Sequence, residues 1–123
     1  MISFRVDGIP VPQGSMKVIN GHVIHSRGSA LAEWRSAIGL SARKAGAFPN
    51  RNPVTITMNF TFLKPKTVKR LEPTVPPDLD KLVRAVLDAL TAIAYLDDSQ
   101  VVEIYAKKNY GLTPGVKVQL DYK

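Results

Sequence analysis

Val54-Thr55-Ile56-Thr57-Met58-Asn59-Phe60-Thr61-Phe62 alternates apolar and polar residues without a break. Successive side chains of a strand point to opposite faces, so the segment predicts a strand with one face in the core and the other open to water. A sheet of such strands needs helices on its apolar side only. Upstream, Leu31, Trp34, Ile38 and Ala45 share one helical face, which predicts a helix from about Ser29 to Ala45. Ser29 is its expected N-cap, Gly46 its stop, and Trp34 a core residue. Nearer the N-terminus, Ile2, Phe4 and Val6 alternate with Ser3, Arg5 and Asp7 and read as another half-buried strand. Between them, Asn20-Gly21 separates the short apolar runs of Lys17 to Ile24, a hairpin signal. His22 and His25 are expected on opposite sides of that hairpin strand, so no shared metal is expected there.

Downstream of the central strand, Lys64 to Pro77 carries four prolines and four basic residues and is expected to be an irregular, functional or mobile loop. Leu79, Leu82, Val83, Val86, Leu87, Leu90 and Ile93 then form the apolar stripe of a helix from Asp78 or Asp80 to Ala94. Two strands follow, roughly Val101 to Tyr110 and Val116 to Tyr122. The Gly111-Leu112-Thr113-Pro114-Gly115 loop between them suggests that they pair antiparallel. The expected fold is α+β over one domain, residues 1–123: a mainly antiparallel sheet of four or more strands covered by two helices.

The chain is basic, with 17 Lys and Arg against 10 Asp and Glu, a net charge of +7. That favours an anionic partner, nucleic acid first. The absence of cysteine excludes disulfides, thiolate zinc sites and cysteine nucleophiles. Neither a signal-peptide core nor an apolar run long enough for a bilayer is visible, so a soluble, cytoplasmic protein is expected.

Against this background two acidic pairs stand out, Asp78/Asp80 at a helix start and Asp97-Asp98 just after that helix. Each has a purely structural reading. Aspartate at a helix start caps it and complements its dipole, and Asp-Asp-Ser favours a turn. Asp80, Arg84 and Asp88 are one turn apart and could form a surface ion-pair ladder. The functional reading is a hard-metal site, because magnesium is held by a few carboxylates together with water and substrate phosphates. A basic protein with a small acidic site has the parts of a nuclease.

Asp78-Leu79-Asp80-Lys81-Leu82, Leu87-Asp88-Ala89-Leu90-Thr91 and Leu96-Asp97-Asp98-Ser99-Gln100-Val101-Val102 together resemble the RusA family of Holliday junction resolvases, whose pattern is D-x-D-N-L, then D-A-L in a helix, then L-D-D-x-Q-V. Gly8-Ile9-Pro10, Gly14-Ser15-Met16-Lys17 and Trp34-Arg35 are similar to phage-type members. The resemblance implies a homodimeric, magnesium-dependent endonuclease, with manganese a plausible substitute, that cuts four-way DNA junctions by paired nicks. It implies Asp78, Asp80 and Asp98 as catalytic metal-holding carboxylates, with Asp97 beside them. Two positions depart from the pattern. The asparagine after the second aspartate is Lys81, and the family's catalytic lysine aligns with Arg84. Arginine can stabilise charge on a phosphate but cannot titrate, which leaves Lys81 as the alternative cation.

Lys64, Lys66, Lys69 and Arg70 lie in the proline-rich loop leading into the acidic pair and are the expected DNA-backbone contacts, against the reading of a merely solvated run. Arg43-Lys44 and Lys107-Lys108 are weaker candidates for that surface, and Ser15, Lys17 and Arg35 receive no assigned role. A helix from Asp80 to Ala94 would also hold Asp80 and Asp98 apart within one chain, so a site shared across a two-fold dimer is expected. The rival readings are a non-catalytic basic DNA-binding protein and a nuclease that prefers forks or flaps.

Overall fold

The computed structural model describes residues 1–14 and 29–123 in full and, of the stretch between, the backbone of Met16–Ile19, His22–His25 and Gly28. Its elements run β1 (Ile2–Asp7), β2 (Met16–Ile19), β3 (His22–His25), α1 (Gly28–Lys44), β4 (Val54–Phe62), α2 (Leu79–Leu90), β5 (Val101–Tyr110) and β6 (Gly115–Tyr122). Strands β2 and β3 form a separate antiparallel ribbon, with Ile19 opposite His22. That register suits the expected hairpin, although the Asn20-Gly21 turn and the His22 and His25 side chains lie outside the described residues.

The main sheet has the order β1-β6-β4-β5. The alternation of β4 does what its sequence requires: Val54, Ile56, Met58 and Phe60 are buried, while Thr57 on the opposite face is exposed. Val116, Val118 and Leu120 of β6 and Val6 of β1 complete the covered face. Trp34, Ile38 and Ala42 of α1 and Leu82, Ala85, Val86, Ala89 and Leu90 of α2 lie in the same core. Fully burying a Leu or Val side chain contributes about 1.5–3 kcal/mol, so the α2 stripe alone is a large part of what fixes the helix to the sheet. Gly115 opens β6 because a Cβ there would lie 2.5 Å from the Val6 carbonyl oxygen.

Three expectations are corrected. First, β5 and β6 do not pair. β4 lies between them, antiparallel to β6 and parallel to β5, so the sheet is mixed. The reason is the helix between β4 and β5: a crossover over one face returns the chain parallel to where it left. β6, with three fully buried apolar residues, takes the inner position. β5, which exposes Val102, Ile104 and Tyr105, takes the edge.

Second, α2 ends at Leu90 rather than Ala94. The Leu87 carbonyl accepts from the Thr91 hydroxyl at 3.0 Å and the Tyr95 hydroxyl at 2.7 Å, and the chain turns through Ala92 at φ +68°. Ile93 and Ala94 keep the apolar spacing but sit in this turn. Third, α1 begins at Gly28, so Ser29 is inside the helix and is not its cap. Its end is as expected. Gly46 has φ +103°, its N–H donates to Arg43 O, and Ala47 N donates to Ala42 O, the Schellman arrangement.

Candidate active site

The proline-rich segment enters α2 along the covered side of β5. Lys108 pairs in register with the buried Phe60 and therefore lies on that side, whereas Lys107 pairs with Asn59 on the open side. Lys108 Nζ donates to Val75 O at 2.8 Å and Pro77 O at 2.9 Å. Two residues on, Tyr110 accepts from Arg70 Nε at 2.9 Å, and Lys64 and Arg70 each lie 6.0 Å from its ring centroid. The segment is irregular, as its prolines require, yet it is pinned at two points. Of the four cations expected to meet DNA, Lys66 and Lys69 are exposed, Lys64 is half-buried, and Arg70 is largely committed to Tyr110. Lys108 is committed to the loop.

Asp78 is the N-cap residue of α2 by backbone conformation, at φ −70° and ψ 140°, yet its carboxylate makes no capping bond. Its neighbour is Lys81, whose Nζ stands 3.6 Å from Asp78 Oδ2. Asp80 follows in the first turn, exposed, and makes no side-chain hydrogen bond or ion pair among the described residues. The expected ladder is half present: Arg84 Nε is 4.0 Å from Asp88 Oδ2, and Asp80 takes no part in it. The structural reading of Asp78 and Asp80 as caps is therefore not realised, and two carboxylates face solvent at the positive end of the helix dipole. Exposed hard oxygen donors, one of them beside the Lys81 ammonium, suit a divalent cation.

Asp97 and Asp98 are built differently. Asp97 caps a single 3-10 turn, Asp98–Gln100, accepting from Ser99 N at 2.8 Å. That backbone N–H is the main reason its carboxyl lies below the usual carboxylate range. The turn hangs on Gln100. Its Oε1 accepts from Leu96 N at 2.9 Å and Asp97 N at 3.0 Å, and its Nε2 donates to Asn50 O at 2.8 Å and Asn52 O at 2.9 Å. Asp98 is thereby presented at the C-terminal end of α2. There Asp88, Thr91, Asp97, Asp98 and Arg35 line an open cavity of about 390 Å3. The Tyr95 hydroxyl beside it is held protonated well above the usual tyrosine range, chiefly by burial and further by the charges of Asp98 and Asp88.

The structure thus brings together Asp78, Asp80 and Lys81 at one end of α2, and Asp88, Asp97 and Asp98 at the other. It does not join the two groups: α2 has 12 residues, about 18 Å at 1.5 Å per residue. No three acidic or histidine side chains gather into a cation cage among the described residues. Sequence reasoning left Arg35 without a role and did not see what Gln100 and Lys108 do. Arg35 reaches the Asp98 cavity because α1 packs on α2, a contact no spacing announces.

Residues 7–121 match the family described as Endodeoxyribonuclease RusA. The chain belongs to that family. Its three motif segments fall on the start of α2, the end of α2 and the 3-10 turn, so the family pattern here describes the two ends of one helix. A relative from Bacillus subtilis (strain 168), the uncharacterized protein YqaN, is 32% identical over 136 aligned residues, covering 97% of this chain and 94% of that protein. Membership supports a nuclease of the type that resolves Holliday junctions. No helix among the described residues is long and apolar enough to cross a membrane.

Proposed function

We propose that this chain is a magnesium-dependent, structure-selective DNA endonuclease that resolves four-way junctions by paired nicks. Manganese would be able to replace magnesium, and the enzyme would act on recombining DNA in the cytoplasm. The observation that carries the reading is the Asp78/Asp80 pair, two carboxylates at a helix start that do no capping and stand within a nuclease family's motif. Asp78, Asp80 and Asp98 would hold the cation, with Asp97 beside them. A hard cation held there would supply activation of water and polarisation of the phosphodiester. Lys81 or Arg84 would meet the charge that grows on the phosphate. Lys64, Lys66 and Lys69 would grip the DNA backbone ahead of the site.

A two-fold dimer completes the site in this reading. The separation of the two acidic groups along α2 supports it, because an isologous interface can lay one subunit's helix start against its partner's helix end. Asp78 and Asp80 would then come from one protomer, and Asp98 from the other.

The test is a cleavage assay on four-way, three-way and linear DNA with and without magnesium, using the wild type and Asp80→Asn. Symmetrical nicks in the four-way junction, dependent on magnesium and lost in Asp80→Asn with junction binding retained, are expected. Binding without cutting under all metal conditions would make this a non-catalytic DNA-binding protein. Preferential cutting of three-way DNA would move the substrate to forks or flaps.

A further inference from the structure

Asp78 already has the extended backbone of an N-cap, so a side-chain rotation alone would let its carboxylate accept from the N–H groups of Asp80 or Lys81. Its carboxylate instead stands 3.6 Å from Lys81 Nζ, and the helix entry is held from elsewhere. Two contacts from outside the helix hold it: Gln13 N donates to Lys81 O at 3.0 Å, and Lys108 donates to the carbonyls of Val75 and Pro77. The second is the closer to the site. Pro77 O belongs to the same planar peptide as Asp78 N, so fixing that oxygen fixes the plane from which Asp78 departs. Bonds from an ammonium are charge-assisted and at the strong end of the range. Lys108 is itself fixed by its strand position opposite Phe60.

We propose that Lys108 is a positioning residue for the Asp78–Asp80 pair, fixing the backbone from which the Asp78 carboxylate is offered to a divalent cation. The inference rests on the metal-dependent reading above. It also assigns adjacent lysines different work, since Lys107 lies on the opposite side of the sheet.

The experiment measures Mn2+ binding to the full chain without DNA, by electron paramagnetic resonance, for the wild type, Lys108→Met, Lys108→Arg and Lys107→Met. Loss of a group that orients a metal ligand weakens metal affinity by roughly 10- to 100-fold, which is expected for Lys108→Met. Lys108→Arg, which keeps charge and donors, should recover most of the affinity, and Lys107→Met should match the wild type. Junction binding by Lys108→Met in EDTA should be unchanged, and its cleavage rate should return to that of the wild type at saturating Mn2+. A merely structural or DNA-contacting lysine would not give that split. If Lys108→Met fails to fold, Lys108→Ala, which likewise lacks a donor, carries the same test. Wild-type Mn2+ affinity in a folded Lys108→Met or Lys108→Ala would overturn the positioning role alone. A wild type that binds no Mn2+ would overturn the metal reading and this role with it.

Discussion

Lys81 and Arg84 are both exposed cations on the first turns of α2, but they stand beside different acids, Asp78 and Asp88 respectively. Exposed ion pairs contribute at most about 1 kcal/mol to stability, so truncating either lysine or arginine should leave the fold intact and report on chemistry. If position 84 supplies charge to the transition state, Arg84→Ala should lower kcat by about 10²–10³-fold and Arg84→Lys should keep partial activity. Normal cutting by Arg84→Ala together with a dead Lys81→Ala would transfer the role to Lys81. Gln100 offers a different residue-scale test, because its amide makes four hydrogen bonds that shape the Asp97–Asp98 turn. At about 0.5–1.5 kcal/mol net per bond, Gln100→Leu should cost about 2–6 kcal/mol in thermal or denaturant unfolding. It should also abolish cutting at temperatures where the variant remains folded. Wild-type kcat in folded Gln100→Leu would mean that the turn does not present Asp98 to the reaction.

At the scale of elements, the loop before α2 has Arg70 bonded to Tyr110 and Lys66 and Lys69 exposed, and a binding experiment should separate them. Each phosphate contact adds about 0.9 to the slope of log affinity against log salt, so Lys64, Lys66 and Lys69 changed together to alanine should flatten the slope by up to about 2.7. Arg70→Ala should instead destabilise the loop, since its guanidinium is bonded to Tyr110. An unchanged slope in the triple variant would leave the run as a solvated surface. The same elements show what was legible in the sequence. The alternation of β4 and the stripe of α2 are local periodicities, and local periodicity survives folding. The pairing of β5 with β4 is not local: nothing in β5 records that the helix before it makes a crossover, and the short Gly-Pro loop after it suggested a hairpin. The end of α2 was hidden for a similar reason. Ile93 and Ala94 keep the helical spacing, while the hydroxyls of Thr91 and Tyr95 turn the chain away at Leu87 O. The acidic pairs could be read because they are contiguous motifs. Lys108 and Arg35 could not, because each acts on a segment distant in sequence, whereas half of what Gln100 does is a local Asp97–Gln100 capping box that its spacing carries.

For the whole molecule, the proposed function asks two acidic groups at opposite ends of a 12-residue helix to serve one phosphate. Asp98 shares its cavity with Asp88 and Thr91, which fixes it at the C-terminal end of α2. Asp88 is eight positions beyond Asp80, about 12 Å along the axis. No side-chain rotation closes that distance, and a rigid core residue, Leu82 or Leu90, anchors each end of the helix. A partner related by a two-fold axis can close it, because its α2 can run antiparallel to the first and bring start against end twice over. Mixing Asp80→Asn protomers with Asp98→Asn protomers separates the alternatives. In a shared-site heterodimer, one site takes both substitutions and the other takes neither, so the mixture should nick one strand of the junction although each homodimer is dead. If each site is made within one chain, both sites of the heterodimer are damaged and no nick appears. Tagged subunits purified through both tags establish that heterodimers have formed, and a dead preparation of that kind would rule the shared site out.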